Sequence, residues 1–227
     1  MDATSFGAFG VFSSNQTGNV IILLSRVIGV HQRYAPGGAC AGPALLTTGL
    51  SLAVFLVMAF LSGRLGQHFG HLHRASLAIS TLVQAILLLL VAVLIQHSVF
   101  SPGDVNDSDV THQYAELDAA PVALLAASAG LQVSQARCSG FQEIPTAMLT
   151  SPMVDLLIHP QLFGRLLPRG DKKLHSRNVR AAYLSTFVLG IALGAAVHRF
   201  AGTSIVTFIA FALRIVVAVS LSILPPG

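Results

Sequence analysis

Two short polar stretches interrupt an otherwise apolar chain, and they hold most of the residues able to do chemistry. The first is Asn15-Gln16-Thr17-Gly18-Asn19, placed directly before the aliphatic run Val20–Ile28. The second runs from Glu143 through Pro145 and Thr146 to Thr150, Ser151, Pro152 and Asp155, ahead of Leu156-Leu157. Gly and Pro break helices, and the freed backbone groups are tolerated at membrane depth only where they face protein or a polar cavity. Paired breaks of this kind point to a solute site near the bilayer midplane. A short helix beginning near Val20 would offer partial positive charge to an anion or carboxylate at its N-terminus. The same Thr and Asn residues could simply cap that helix. Arg214 lies near the centre of the last apolar run. An ionised side chain there costs about 2.5–3.5 kcal/mol on insertion scales, so it should face other helices and find a partner. Asp155 and Glu143 are the nearest by topology; such a pair could handle charge on a solute or merely fix helix register. The expected binding set is therefore Asn15, Gln16, Thr17, Gly18, Asn19, Gln132, Glu143, Pro145, Thr146, Thr150, Asp155 and Arg214.

Other candidates carry less. Ser128, Gln132 and Gln135 share one face of a helix and cannot sensibly face lipid. They could line a pathway, but hydrogen bonding between helices is the favoured reading. Gly190 and Gly194 form a small-xxx-small pattern, which predicts close helix packing. His68, His71 and His73 match no zinc spacing and read as a solvated interfacial loop. Asn106 opens a glycosylation sequon; Asn15 opens another, too close to the bilayer for modification. No G-x-S-x-G, H-E-x-x-H or phosphate-binding glycine loop occurs, so no catalytic residue, metal or cofactor is assigned and enzymatic activity is not expected.

The elements that position these residues follow from composition. The chain is 53% hydrophobic and 10% charged, against roughly 25% charged for ordinary soluble domains. Five stretches approach the 20 or so apolar residues that a transmembrane helix needs. They are Pro43–Gly63, Ala75–Ile95, Ala119–Gln135, Ala181–Val197 and Thr203–Leu224, whereas Val20–Ile28 is too short to span. The net charge of +4 comes from loops rather than from a basic stripe with aromatics, which excludes nucleic acid as a partner. Between Gln96 and Asp118 there is no Lys or Arg, while Arg165, Arg169, Lys172, Lys173, Arg177 and Arg180 crowd one segment. The positive-inside rule puts the former outside and the latter, with the C-terminus, in the cytoplasm. The sequence does not choose between plasma membrane and endomembranes, and a homo-oligomer is compatible with it. Cys40 and Cys138 fall on opposite faces and are not expected to pair, and the opening M-D-A-T-S-F lacks the regions of a cleavable signal peptide.

The fold expected is all-α and polytopic, a single membrane domain over 1–227 with two short broken half-helices. Overlaying Thr17 on Thr150 aligns the halves, with Gln84 falling opposite Arg214 near the same register. Three-span units in tandem must be inverted relative to one another. The units are 1–96 and 119–227, separated by an acidic exterior loop at 97–118. Ala119–Gln135 then has no counterpart in the first unit, so a preceding helix is expected upstream of Met1.

The stretch D-A-T-S-F-G-A-F-G-V-F-S-S-N-Q-T-G-N, together with G-L-Q-V-S-Q-A-R and E-I-P-T-A-M-L-T-S-P-M-V-D-L-L, resembles the YoaK-type family of uncharacterised membrane proteins, in its fungal version. That resemblance covers essentially the whole chain. It implies an integral membrane protein of about six spans, with a helix ahead of the D-A-x-S-F motif and no established activity. Ser151 and Pro152 replace the small residues of bacterial members, and the family's basic cluster becomes Arg177-Asn178-Val179-Arg180. The leading functional expectation is a transporter for a small solute or ion. Alternatives are a scaffold recruiting a partner or anionic lipid through 165–180, and an intramembrane enzyme acting on lipid.

Overall fold

The computed structural model describes residues 1–28, 41–70, 73–97, 111–138, 140, 144, 149–160, 162 and 172–223, with backbone alone at 41–44, 69, 111–118 and 172–173. Among these residues there are seven helices and no strand. They are α1 (Asp2–Phe9), α2 (Gln16–Val27), α3 (Ala41–Phe69), α4 (Arg74–His97), α5 (Thr111–Cys138), α6 (Thr150–Leu157) and α7 (Lys172–Ile223). Four helical stretches are long and apolar enough to cross a membrane: Leu45–His68, Arg74–His97, Ala119–Cys138 and Leu174–Ile223. The last is interrupted at Gly202, whose φ of 84° and ψ of 171° no residue with a Cβ adopts comfortably. The break falls where the sequence predicts the boundary between its last two spans. His198 Nδ1 and the Thr203 hydroxyl, 3.3 Å apart, bracket it.

The sequence places the short helices and α5 less well. α2 starts at Gln16, four residues before Val20, because Asn15 caps it: the Asn15 carboxamide accepts from Gly18 N–H at 3.3 Å. α5 begins at Thr111, inside the stretch expected to be loop. Asn106 and His71 lie outside the described residues, as do Cys40, Glu143, Pro145 and Thr146.

Packing inverts the soluble pattern. On α3 the buried side chains are Thr47, Thr48 and Ser51, while Leu46, Leu56, Val57 and Phe60 are exposed. α4 buries Thr81, Gln84, Ala85, Leu88, Val91 and Ala92, a stripe at helical spacing. Small and hydroxylated residues inside, with aliphatics outside, suit helices that meet one another in lipid. α5 runs between α3 and α4, and α4 packs in turn on α7. Leu88, Val91 and Leu125 form the apolar centre, with Ala210 and Phe211 against them. α2 lies on α3, while α1 and α6 lie on α7.

Close approach occurs at Gly130. A Cβ there would sit 2.6 Å from the Phe55 carbonyl oxygen and 3.3 Å from Ala59 N, so α5 and α3 meet backbone to backbone. The sequence points to Gly190 and Gly194 instead, and this is corrected: a Cβ at either would meet nothing within 4 Å. Both glycines border an open space rather than another helix.

Gly130→Ala should therefore cost about 1–3 kcal/mol by overpacking, lowering the melting temperature in detergent. Gly190→Ala should leave it unchanged or raise it slightly, since Ala is favoured over Gly by about 1 kcal/mol in a helix.

Candidate functional site: a cavity between the two interrupted segments

The first interruption is built by side chains standing in for secondary structure. α1 closes at Gly10, whose φ of 64° is left-handed and whose N–H reaches the Phe6 carbonyl at 2.9 Å. The chain then turns back through 11–15 into α2, leaving backbone groups that no helix satisfies. Asn19, fully buried, pairs with both backbone groups of one residue. Its Oδ1 accepts from Phe12 N–H at 2.9 Å, and its Nδ2 donates to the Phe12 carbonyl at 2.8 Å. Nδ2 also reaches Gln16 Oε1 at 2.9 Å, and Ser51 on α3 donates to the same Phe12 carbonyl at 3.2 Å.

The start of α1 holds the other end. One Asp2 carboxylate oxygen accepts from Ser13 Oγ at 2.8 Å and from Ser14 N–H at 2.7 Å, and the other accepts from the Ser14 hydroxyl. Ser13 N–H donates to Ser5 Oγ at 3.1 Å. Phe6 and Phe12 stack with centroids 4.6 Å apart. A Cβ on Gly18 would lie 2.8 Å from the Phe12 ring, so that position has no room for a side chain. The D-A-x-S-F and T-G-N residues are thus largely a lock on this turn.

Between this turn, α6, α4, α5 and both arms of α7 lies a cavity of about 1160 Å³. Asn15, Thr17 and Gly18 from the first interruption line it, and Thr150 and Ser151 from the second. Gln132 of α5 and Arg214 of α7 complete the polar wall, while Leu88, Leu125, Ile191, Leu213 and Val217 supply apolar surface. Six of the residues expected from sequence therefore share one space: Asn15, Thr17, Gly18, Gln132, Thr150 and Arg214. Gln16 and Asn19 stand behind the wall and hold the turn.

Arg214 does not pair with Asp155. Asp155 is exposed beside Arg180, with Arg180 Nη2 3.8 Å from its Oδ2. Among the described residues Arg214 has no hydrogen-bond or ion-pair partner. The α5 stripe divides. Gln135 Oε1 accepts from Gln84 Nε2 at 2.9 Å, and Ser128 reaches the Gln84 carbonyl at 3.5 Å, whereas Gln132 faces the cavity. Polar lining residues without a role in the sequence reading include Asp2, Thr4, Ser13, Ser14 and Thr186. Asp2 in a helix's first turn was the one local signal, since a carboxylate is favoured there.

Across residues 1–220 the chain matches the family described as "Protein of unknown function (DUF1275)". The chain belongs to this family. No curated protein and no solved structure matches it. Within a DUF1275 chain, the locked turn gives the sequence motif a physical meaning before any activity is attached to it.

Asn19→Ala leaves the buried Phe12 N–H without its partner, at a cost of about 1–3 kcal/mol, while Ser51 still donates to the Phe12 carbonyl. The melting temperature should fall, and the Phe12 amide should lose its protection from hydrogen exchange. Asp155→Asn, outside the cavity and exposed, should alter stability by no more than about 1 kcal/mol.

Proposed function

We propose that this protein binds a small solute or ion in the cavity and carries it across the bilayer. The observation that carries this reading is that both interrupted segments, far apart in sequence, line one cavity. Interrupted helices meeting at a shared polar space are the usual architecture of a transport site. We further read the spans as five, in two inverted units over 1–96 and 119–227. In each half the short helix packs on the long helix that follows it, α2 on α3 and α6 on α7. The break at Gly202 would then be the turn between the last two spans. With the basic segment inside, the C-terminus is cytoplasmic.

Among the described residues the cavity wall contains no His, Cys or Lys, and its Asp2 is bound up with Ser13 and Ser14. Binding and passage suit that wall better than catalysis. The scaffold reading, with the basic segment recruiting a partner, loses weight at Arg177. That side chain is buried and donates to Asn178 Oδ1 at 2.7 Å and to the Leu162 carbonyl at 3.4 Å.

Proteoliposomes preloaded with radiolabelled anionic, neutral and cationic small solutes provide the test. At least one class should leak faster than from empty liposomes. Gly194→Phe should abolish that flux at an unchanged melting temperature, because the ring enters open space lining the cavity. Asp155→Asn should retain wild-type flux. Flux equal to empty liposomes for every class, or unaffected by Gly194→Phe, would sink the transport reading.

A further inference from the structure

The polar groups of the cavity wall differ in whether the protein has already used them. Among the described residues Asp2 is the one acid in the wall, and its carboxylate oxygens accept three hydrogen bonds, from Ser13 Oγ, Ser14 N–H and Ser14 Oγ. Asn15 is occupied as the cap of α2. The charge left unspent is that of a donor. Arg214 carries five N–H groups and a permanent charge, with no protein partner among the described residues. The second donor group is the start of α6. Its N-cap is Leu149, an aliphatic residue that makes no side-chain cap, and Thr150 and Ser151 of its first turn line the cavity with their hydroxyl groups. The helix dipole places partial positive charge at that end.

An unpaired cation facing the first turn of α6 across one space constitutes a site for negative charge. We infer that the cavity takes a small organic monoanion, its charged end held by Arg214 with Thr150 and Ser151 at the start of α6. Its apolar part lies against Leu88, Leu125 and Leu213. A cationic solute meets the repulsion of Arg214, and the Asp2 carboxylate already accepts three hydrogen bonds from the two serines. A soluble monocarboxylate has the required chemistry: two acceptor oxygens suited to a guanidinium fork and a short hydrocarbon body. This inference rests on the cavity being the solute site.

The test uses the full chain in phosphatidylcholine nanodiscs, where no anionic headgroup competes. Cys40 and Cys138 are replaced by Ser, and Ala129→Cys places one thiol on the cavity wall. Three methanethiosulfonates then probe it: a neutral methyl reagent, one bearing a sulfonate and one bearing a trimethylammonium. Each rate is normalised to that reagent's rate with a free thiol in solution. The neutral reagent should label Cys at 129, and the sulfonate should outpace the trimethylammonium by about tenfold, as one unscreened charge at close range would give. Arg214→Gln should erase the preference and Arg214→Lys should keep much of it. Benzoate should protect the thiol at about tenfold lower concentration than benzamide, with benzylammonium weakest.

No labelling by the neutral reagent would remove the cavity as a solute site, and this inference with it. Labelling by the neutral reagent with equal rates for the two charged ones would overturn the anion inference alone. Protection by benzylammonium stronger than by benzoate would overturn it likewise, and would make Asp2 the binding charge. A sulfonate preference that survives Arg214→Gln would reject Arg214 as its source.

Discussion

A buried backbone that leaves its helix must find hydrogen bonds from the protein itself, and the turn between α1 and α2 depends on that constraint. Asn19 meets it by presenting a carboxamide to the Phe12 backbone in the geometry a neighbouring strand would use, donor to acceptor on both sides. Asp2 and Ser5 do the same for Ser13 and Ser14. Once these bonds are made, the Phe12 ring is pressed between Phe6 and the backbone of Gly18. The turn is therefore rigid, and its outer edge presents Asn15, Thr17 and Gly18 to the cavity. The same small set of bonds fixes the angle between α1, which leans on α7, and α2, which leans on α3.

Elsewhere the helices are held by contact rather than by a hydrophobic drive, because lipid tails are as apolar as Leu. Gly130 lets α5 approach the α3 backbone, and Gln84 with Gln135 ties α5 to α4 by a hydrogen bond of the kind worth about 0.6–2 kcal/mol in membranes. These interactions hold α5 between α3 and α4. That placement sets Gln132, one turn from Gln135, at the cavity instead of in the helix seam. The polar stripe of α5 thus serves both structure and site, and one step of helical rotation separates the two uses.

Length and hydropathy made the long helices legible, including the boundary near Gly202, because a bilayer imposes a minimum run of apolar residues that sequence displays directly. Of the nine candidate site residues that are described, six line one cavity, since polar breaks in apolar runs are equally visible. What sequence hides is azimuth and long-range closure. Gly190 and Gly194 have the spacing of a packing motif, yet only rotation about α7 decides that they face open space while Gly130 faces α3. Asp155 seemed a partner for Arg214 by depth, but α6 turns it toward Arg180. Asp2 lies eleven and twelve residues from the serines it holds, with the end of α1 at Gly10 between them, so no single helix or strand pattern links them. Its role follows only from the turn being closed.

The division between spent and unspent polar groups separates fold from function. Residues with the most distinctive pattern in sequence, Asp2, Ser5, Phe6, Gly18 and Asn19, are consumed by the turn, so the motif marks the architecture. Groups free to meet a ligand are less distinctive: Thr150, Ser151, Gln132 and Arg214. A chain could keep the locked turn intact and change what it binds by altering only these. Arg214 weighs most among them, because an unpaired guanidinium at membrane depth is costly and a polar cavity or an arriving anion offsets that cost. The charge that most burdens the last helix is therefore the one that best defines what the cavity can accept.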